Sequence, residues 1–217
     1  MGVAENLTRV HDHIRKSCAQ CGRRPEEVNL IAVSKMQPVE LIWDAYRAGQ
    51  RHFGESRLQE AIPKMEALPD DIVWHFIGTL QTNKVRKIVE LFDFVHTFCK
   101  LSQLNEAEKA NGQVEAFIEV NIANEPQKSG VSPEMLDEFA QNNLKLTHVH
   151  FRGLMTVGPV VEKVELMHPY FRELRRLNER LGYSELSMGM SGDFEVAIQD
   201  GASHIRVGSA FFGSRNI

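Results

Sequence analysis

Eight short runs rich in β-branched and aromatic residues, each separated from the next by a helix-length segment, constrain this chain more than any other feature. They are NLIAVSK (29–35), HFGES (52–56), VWHFIG (73–78), FVHTF (94–98), AFIEVNI (116–122), HFRGLMTV (150–157), ELSMGM (185–190) and HIRVG (204–208). The first is nearly continuously apolar and too short for a helix, as expected of a strand buried on both faces. Such strands belong to parallel sheets, and parallel neighbours need crossover connections. The pattern predicts a single-domain α/β chain, residues 1–217, folded as a (β/α)8 TIM-type barrel; an open doubly wound sheet is the competing architecture. Val3, Leu7, Val10, Ile14 and Cys18 recur every three or four residues before Gly22, which predicts an N-terminal helix over 3–21. Only SAFFGSRNI follows the eighth strand, so that opening helix is expected to stand in for a full closing one.

Punctuation supports the scheme. Pro38 and Pro133 suit first helical turns, Ser132 can cap the second of these, and Gly49, Gly182 and Gly201 suit helix ends. Pro63 and Pro169 predict late helix starts or kinks. With 25 Lys+Arg against 29 Asp+Glu, a net charge of −4 gives no general basic field, which argues against nucleic-acid binding. No run approaches the roughly 18 apolar residues of a membrane span, and residues 1–9 lack a signal-peptide core, so a cytoplasmic protein without a membrane partner is expected. Cys18 and Cys21 have CxxC spacing but fall at a helix end rather than a helix start, and His148 and His150 lack a third ligand at zinc spacing. Neither pair predicts a metal or redox site.

In a parallel barrel the strand C-terminal ends share one mouth, so chemistry is sought there. Lys35 ends the first run. Desolvation would favour the neutral amine that attacks aldehydes; a solvated turn lysine is the competing reading. Gly189 to Asp193, with Ser191 at a helix cap, and Gly208-Ser209 after the eighth run bring free N–H groups and hydroxyls to the usual phosphate position of barrels. Arg206 shares a strand face with Gly208 and has three candidate roles: a phosphate, a ring nitrogen, or a carboxylate such as Glu119 or Glu195. His75 reads as a hydrogen-bonded barrel residue or pocket wall. Phe171, Leu174, Leu177 and Leu181 form a helix face, with Arg172, Arg175, Arg176 and Arg180 as its solvated side.

AVSKMQP around Lys35, HFGES, WHFIGTLQTNK from Trp74, QKSG ending at Gly130, RGLMT from Arg152, MGMSGDFEVAI from Met188 and IRVGSAFFG ending at Gly213 together resemble the YggS/PROSC family of pyridoxal 5′-phosphate homeostasis proteins. The likeness runs in order through nearly the whole chain. It implies a fold like the N-terminal barrel of alanine racemase, the fold type III barrel, with pyridoxal 5′-phosphate held as an internal aldimine on Lys35. It further implies that Ser191, Gly208 and Ser209 hold the phosphate, that Arg206 faces the pyridine nitrogen, and that Met155, His75 and Asn83 belong to the cofactor site, with Lys128 near it. The chain departs from the family pattern at Ser56, Thr79 and Met36, where asparagine, proline and threonine are usual. The implied role is cofactor and amino-acid homeostasis, exercised by a monomeric carrier that delivers to pyridoxal-phosphate-dependent apoenzymes. An arginine at the ring nitrogen, and no second domain to bring a tyrosine acid/base, argue for a non-enzyme; a single-domain racemase or another Schiff-base enzyme is the alternative.

Overall fold

The computed structural model describes residues 2–142 and 146–213. Eight strands pair in parallel, each with its neighbours in sequence, and close through β8 on β1: β1 (Asn29–Val33), β2 (His52–Glu55), β3 (Val73–Phe76), β4 (Phe94–Phe98), β5 (Val114–Glu119), β6 (Val149–Met155), β7 (Glu185–Met190) and β8 (His204–Val207). The closing register sets Asn29 opposite His204 and Ile31 opposite Arg206. The closed barrel excludes the open doubly wound sheet. Because side chains alternate, Leu30, Ala32, Ile205 and Val207 join the outer core under the helices, while His204 and Arg206 point into the barrel.

Outside lie α1 (Val3–Cys21), α2 (Val39–Arg47), α3 (Leu58–Ala67), α4 (Val85–Leu91), α5 (Leu101–Ala107), α6 (Leu136–Gln141), α7 (His168–Arg180), α8 (Phe194–Gln199) and the single turn α9 (Ser209–Phe212). The expected opening helix is present to the residue, and Gly22 ends it in the left-handed conformation. Its stripe of Val3, Leu7, Val10, Ile14 and Cys18 is buried, and α1 packs against α2, α8 and α9, occupying the gap beside β8. The tail at 214–217 lies outside the described residues.

Three local expectations need correction. Pro63 does not mark a late start but lies within α3, the position the kink reading requires, leaving the carbonyl of the exposed Gln59 without its helical donor. Ser132 does not cap α6, which starts three residues after Pro133 because Ser132 to Met135 first closes a turn. Ser191 does not cap α8: Asp193 is the cap residue, and its carboxylate accepts the Met190 N–H at 2.6 Å. Pro169, by contrast, does mark a start, in the first turn of α7 after a short 3-10 segment.

Gly153 fixes the approach of β6 to β7. The β5–β6 register shifts between Ala116 and Phe117, and a Cβ on Gly153 would stand 1.7 Å from the Glu185 carbonyl oxygen. Gly153→Ala is therefore expected to cost more than about 3 kcal/mol in urea unfolding, by forcing two paired backbones apart. Gly192→Ala, with open space around it, is expected to stay within about 0.5 kcal/mol of the parent.

Candidate functional site

Lys35 does not end β1 but stands two residues beyond it, at the corner of a turn. The Gln37 N–H donates to the Ser34 carbonyl at 3.0 Å, and Met36 takes φ +62°, a left-handed conformation costly for a side chain with a Cβ. A buried ion cluster holds this turn on both sides of Lys35. Lys64 Nζ, from α3, donates to the Ser34 carbonyl (2.8 Å), to Glu55 Oε1 (2.7 Å) and to Glu60 Oε1 (2.7 Å). Glu60 Oε1 also accepts the Met36 N–H, and the Ser34 hydroxyl donates to Glu55 Oε1 at 2.7 Å. Burial pushes the Glu55 carboxyl above its usual range despite Lys64, whereas for Glu60 the hydrogen bonds from Lys64 and Met36 outweigh burial and lower it.

Lys35 opens into a cavity of about 600 Å³, walled by Ser56 and Arg57 after β2, Thr79, Gln81 and Lys84 after β3, Thr97, Glu119 and Met155. Thr97 reaches this wall because the β4–β5 register slips between Val95 and Phe98; its hydroxyl donates to the Gly78 carbonyl at 2.7 Å. Burial pushes Glu119 up to about 7, although the Arg206 charge pulls it down.

Arg206 is buried below. It donates from Nη1 to Ser187 Oγ (2.6 Å) and from Nη2 to the Thr156 carbonyl (2.8 Å), and burial brings its pKa down to about 10. Neither carboxylate considered for it becomes a direct partner: Glu119 acts only through charge, and Glu195 pairs with His13 on the surface. From Ser187 a hydrogen-bonded file runs down the barrel axis: His96 Nδ1 at 2.8 Å, His96 Nε2 to His75 Nδ1 at 2.9 Å, and His75 Nε2 to His52 Nδ1 at 3.0 Å. Arg206 can only donate, so Ser187 Oγ accepts from it and keeps its own hydrogen, which His96 Nδ1 can accept. In that arrangement His96 and His75 carry their protons on Nε2, each donating to the next ring. Phe94 stacks on His75 and Phe117 on His96, both at 4.6 Å between centroids. Burial lowers the pKa of His75 and His96 well below the ordinary value and that of His204 to about 3.

Across the mouth, the Gly208 and Ala210 N–H groups converge on Ser191 Oγ at 3.1 and 3.4 Å. These amides already meet at one oxygen, which is what an anion cradle requires.

Of the residues singled out in the sequence, Lys35 and Met155 line the cavity, and Ser191, Gly208 and the α9 start with Ser209 form the neighbouring loop pair. His75 is not a pocket wall: it is buried one layer down, reaching only other imidazoles and Phe94. Asn83 is exposed and outside the cavity, where its neighbour Lys84 is the lining residue. Lys128 is not in the wall of the Lys35 cavity but lines an adjoining one with Gly192, Asp193 and Val157, the last of which walls both; it donates to the Gly158 carbonyl at 2.9 Å and is paired with Glu125. Ser56 and Thr79, two of the departures, both line the wall. Sequence reading missed Lys64, Thr97 and Ser187. The Glu60–Lys64 spacing of four was a signal for the first; its burial was not.

Residues 6–216 match the family model described as alanine racemase, N-terminal domain. The chain is 41% identical over 226 residues to the pyridoxal phosphate homeostasis protein of Aquifex aeolicus, covering 99% of both. PipY of Synechococcus elongatus superposes with a TM-score of 0.85 at 35% identity without PLP, and with 0.80 at 33% identity with PLP bound; each match covers 97% of this chain and 100% of PipY.

The neutral imidazoles give stability a pH dependence of definite sign. His75, His96 and His204 titrate lower folded than unfolded, so their contribution is complete above about pH 6.5 and is lost as pH falls toward their depressed values. Each can remove up to about 1.4 kcal/mol per pH unit and His52 adds to them, while the upward-shifted carboxyls of Glu55, Glu119 and Asp193 oppose them. Urea unfolding at pH 7 and pH 5 should show a net loss. Lys64→Met is expected to cost about 3–5 kcal/mol at pH 7, because it strands Glu55 without a counter-charge.

Proposed function

The chain belongs to the alanine racemase N-terminal-domain family and, within it, to the pyridoxal phosphate homeostasis proteins; from that premise we propose that residues 1–217 act as one domain that binds pyridoxal 5′-phosphate on Lys35 and carries it rather than using it for turnover. The residues present fit the group. Lys35 offers an amine to the aldehyde, Ser191, Gly208 and Ser209 offer hydroxyls and convergent N–H groups to the phosphate, Arg206 offers a donor to the ring nitrogen, and Met155 walls the pocket.

The observation that carries the reading is the buried Arg206. Bound pyridoxal phosphate supplies an electron-withdrawing ring, strongest when its nitrogen is protonated. With a pKa of about 10, Arg206 keeps its charge at neutral pH, so its donated hydrogen and positive field oppose a second proton at that nitrogen. Ser187 and the Thr156 carbonyl hold the guanidinium in place, so it does not swing away to relieve the repulsion. Glu119, titrating near 7 in the cavity of Lys35, can accept or return a proton when the lysine attaches or leaves. Reversible attachment is thereby favoured over carbanion chemistry. The proposal extends to a monomeric carrier in the cytoplasm that serves vitamin B6 and amino-acid balance by loading pyridoxal-phosphate-dependent apoenzymes; the names of the relatives support its pyridoxal phosphate homeostasis part alone.

Borohydride reduction of the loaded protein followed by peptide mapping is expected to leave a pyridoxyl group on Lys35, and Lys35→Ala is expected to abolish the label and the visible chromophore. A label elsewhere, or sustained amino-acid racemisation by the purified loaded protein, overturns the proposal.

A further inference from the structure

The cavity at Lys35 extends beyond the residues assigned to the cofactor. Around the closed barrel the order is β7–β8, then β1, then β2–β3. The anion cradle of Ser191 and Gly208 follows β7 and β8, Lys35 follows β1, and on its far side the wall is built by Ser56, Arg57, Thr79, Gln81 and Lys84. That wing carries two cations, one just before α3 and one just before α4.

Neither forms a salt bridge among the described residues, and Arg57 meets Glu60 only through its charge. Cations nearby in sequence behave otherwise: Arg51 pairs with Asp71, Arg86 with Glu106 and Lys87 with Glu90. In a chain with a net charge of −4, two uncompensated cations turned into one cavity beside an amine make a local anion site. The side chains beside them, Ser56, Thr79 and Gln81, can all donate hydrogen bonds to an oxyanion.

We propose that this wing seats the carboxylate of an α-amino acid, whose amino group thereby faces the cofactor carbon held by Lys35. The inference rests on the proposed cofactor role and names its exchange partner. In the exchange, the incoming amine nitrogen bonds to the aldehyde-derived carbon, the bond from that carbon to Lys35 Nζ breaks, and the two amine hydrogens end on Lys35. No oxidant, reductant or water is consumed. Glu119, in the same cavity, is placed to move one of those protons.

The test compares alanine with alaninamide as displacing amines at equal concentration of free amine, following loss of the Lys35 chromophore. Alanine is expected to be favoured by roughly tenfold or more, the worth of a charge-assisted contact, and added salt should reduce the preference. Arg57→Gln and Lys84→Gln should each collapse the alanine-to-alaninamide ratio toward unity. In cofactor-free protein, N-acetylalanine should slow acetylation of Lys84 by acetic anhydride, read by mass spectrometry. An unchanged ratio in both variants overturns the proposal. So does a selective loss of affinity for pyridoxal phosphate over pyridoxal, which would assign the wing to the cofactor's own phosphate. If the parent protein takes no label on Lys35, the cofactor reading itself fails, while protection of Lys84 still reports whether the wing holds a carboxylate.

Discussion

Pairing of β8 with β1 is the constraint on which the site depends. While the sheet is open, the loop carrying Lys35 and the loops carrying Ser191 and Gly208 belong to elements more than 150 residues apart in sequence. Once Asn29 to Ala32 lie against His204 to Val207, those loops become neighbours on one rim, and Arg206 comes level with Ile31 beneath them. Parallel closure also puts all eight strand C-termini at one end, so the chemistry collects without any loop being long. The helix layer, including α1 in the gap beside β8, buries the outer faces of the strands and makes closure favourable.

Closure leaves an interior to fill, and this chain fills it with imidazoles where branched aliphatic residues are usual. Burying three histidines, with His52 half-buried beside them, is tolerable only if they stay neutral and bonded. Both conditions are met. His52, His75 and His96 bond in file to Ser187, His204 meets Asn29 at 3.3 Å and Ser203 at 3.0 Å, and their pKa values are lowered by burial. Aromatic stacking by Phe94 and Phe117 supplies the packing that polar rings alone would lack.

The architecture was legible because strand and helix periods differ, and because a strand covered on both sides has little choice but an apolar run. Val3, Leu7, Val10, Ile14 and Cys18 gave the opening helix for the same reason. Depth was not legible. Alternation assigns His75 to the inner face but cannot say how far down the barrel it lies; only the register with Gly54 and Phe94 does. Cap residues misled where the helix started later than the sequence suggested, as when α8 began after Asp193 and Ser191 Oγ accepted from the Gly208 N–H instead. Lys64 was hidden because lysine is almost never buried without partners, and its partners come from three segments.

The neutrality of the histidine file and the charge of Arg206 are two sides of one arrangement. A guanidinium has donors only, so Ser187 accepts from Arg206 and its own hydroxyl hydrogen can start the file of hydrogen bonds that runs down to His52. Were His75 or His52 to hold a second proton on Nδ1, it would face the N–H of the ring above, and the file would have to reverse as far as Ser187. The lowered histidine pKa values keep that reversal out of the neutral range. Positive charge inside the barrel is thereby kept at the mouth, where Glu119 opposes it and a ring nitrogen would meet it. A polar core of this kind does less for stability than an aliphatic one of equal volume; its return is a buried cation held by Ser187 and the Thr156 carbonyl.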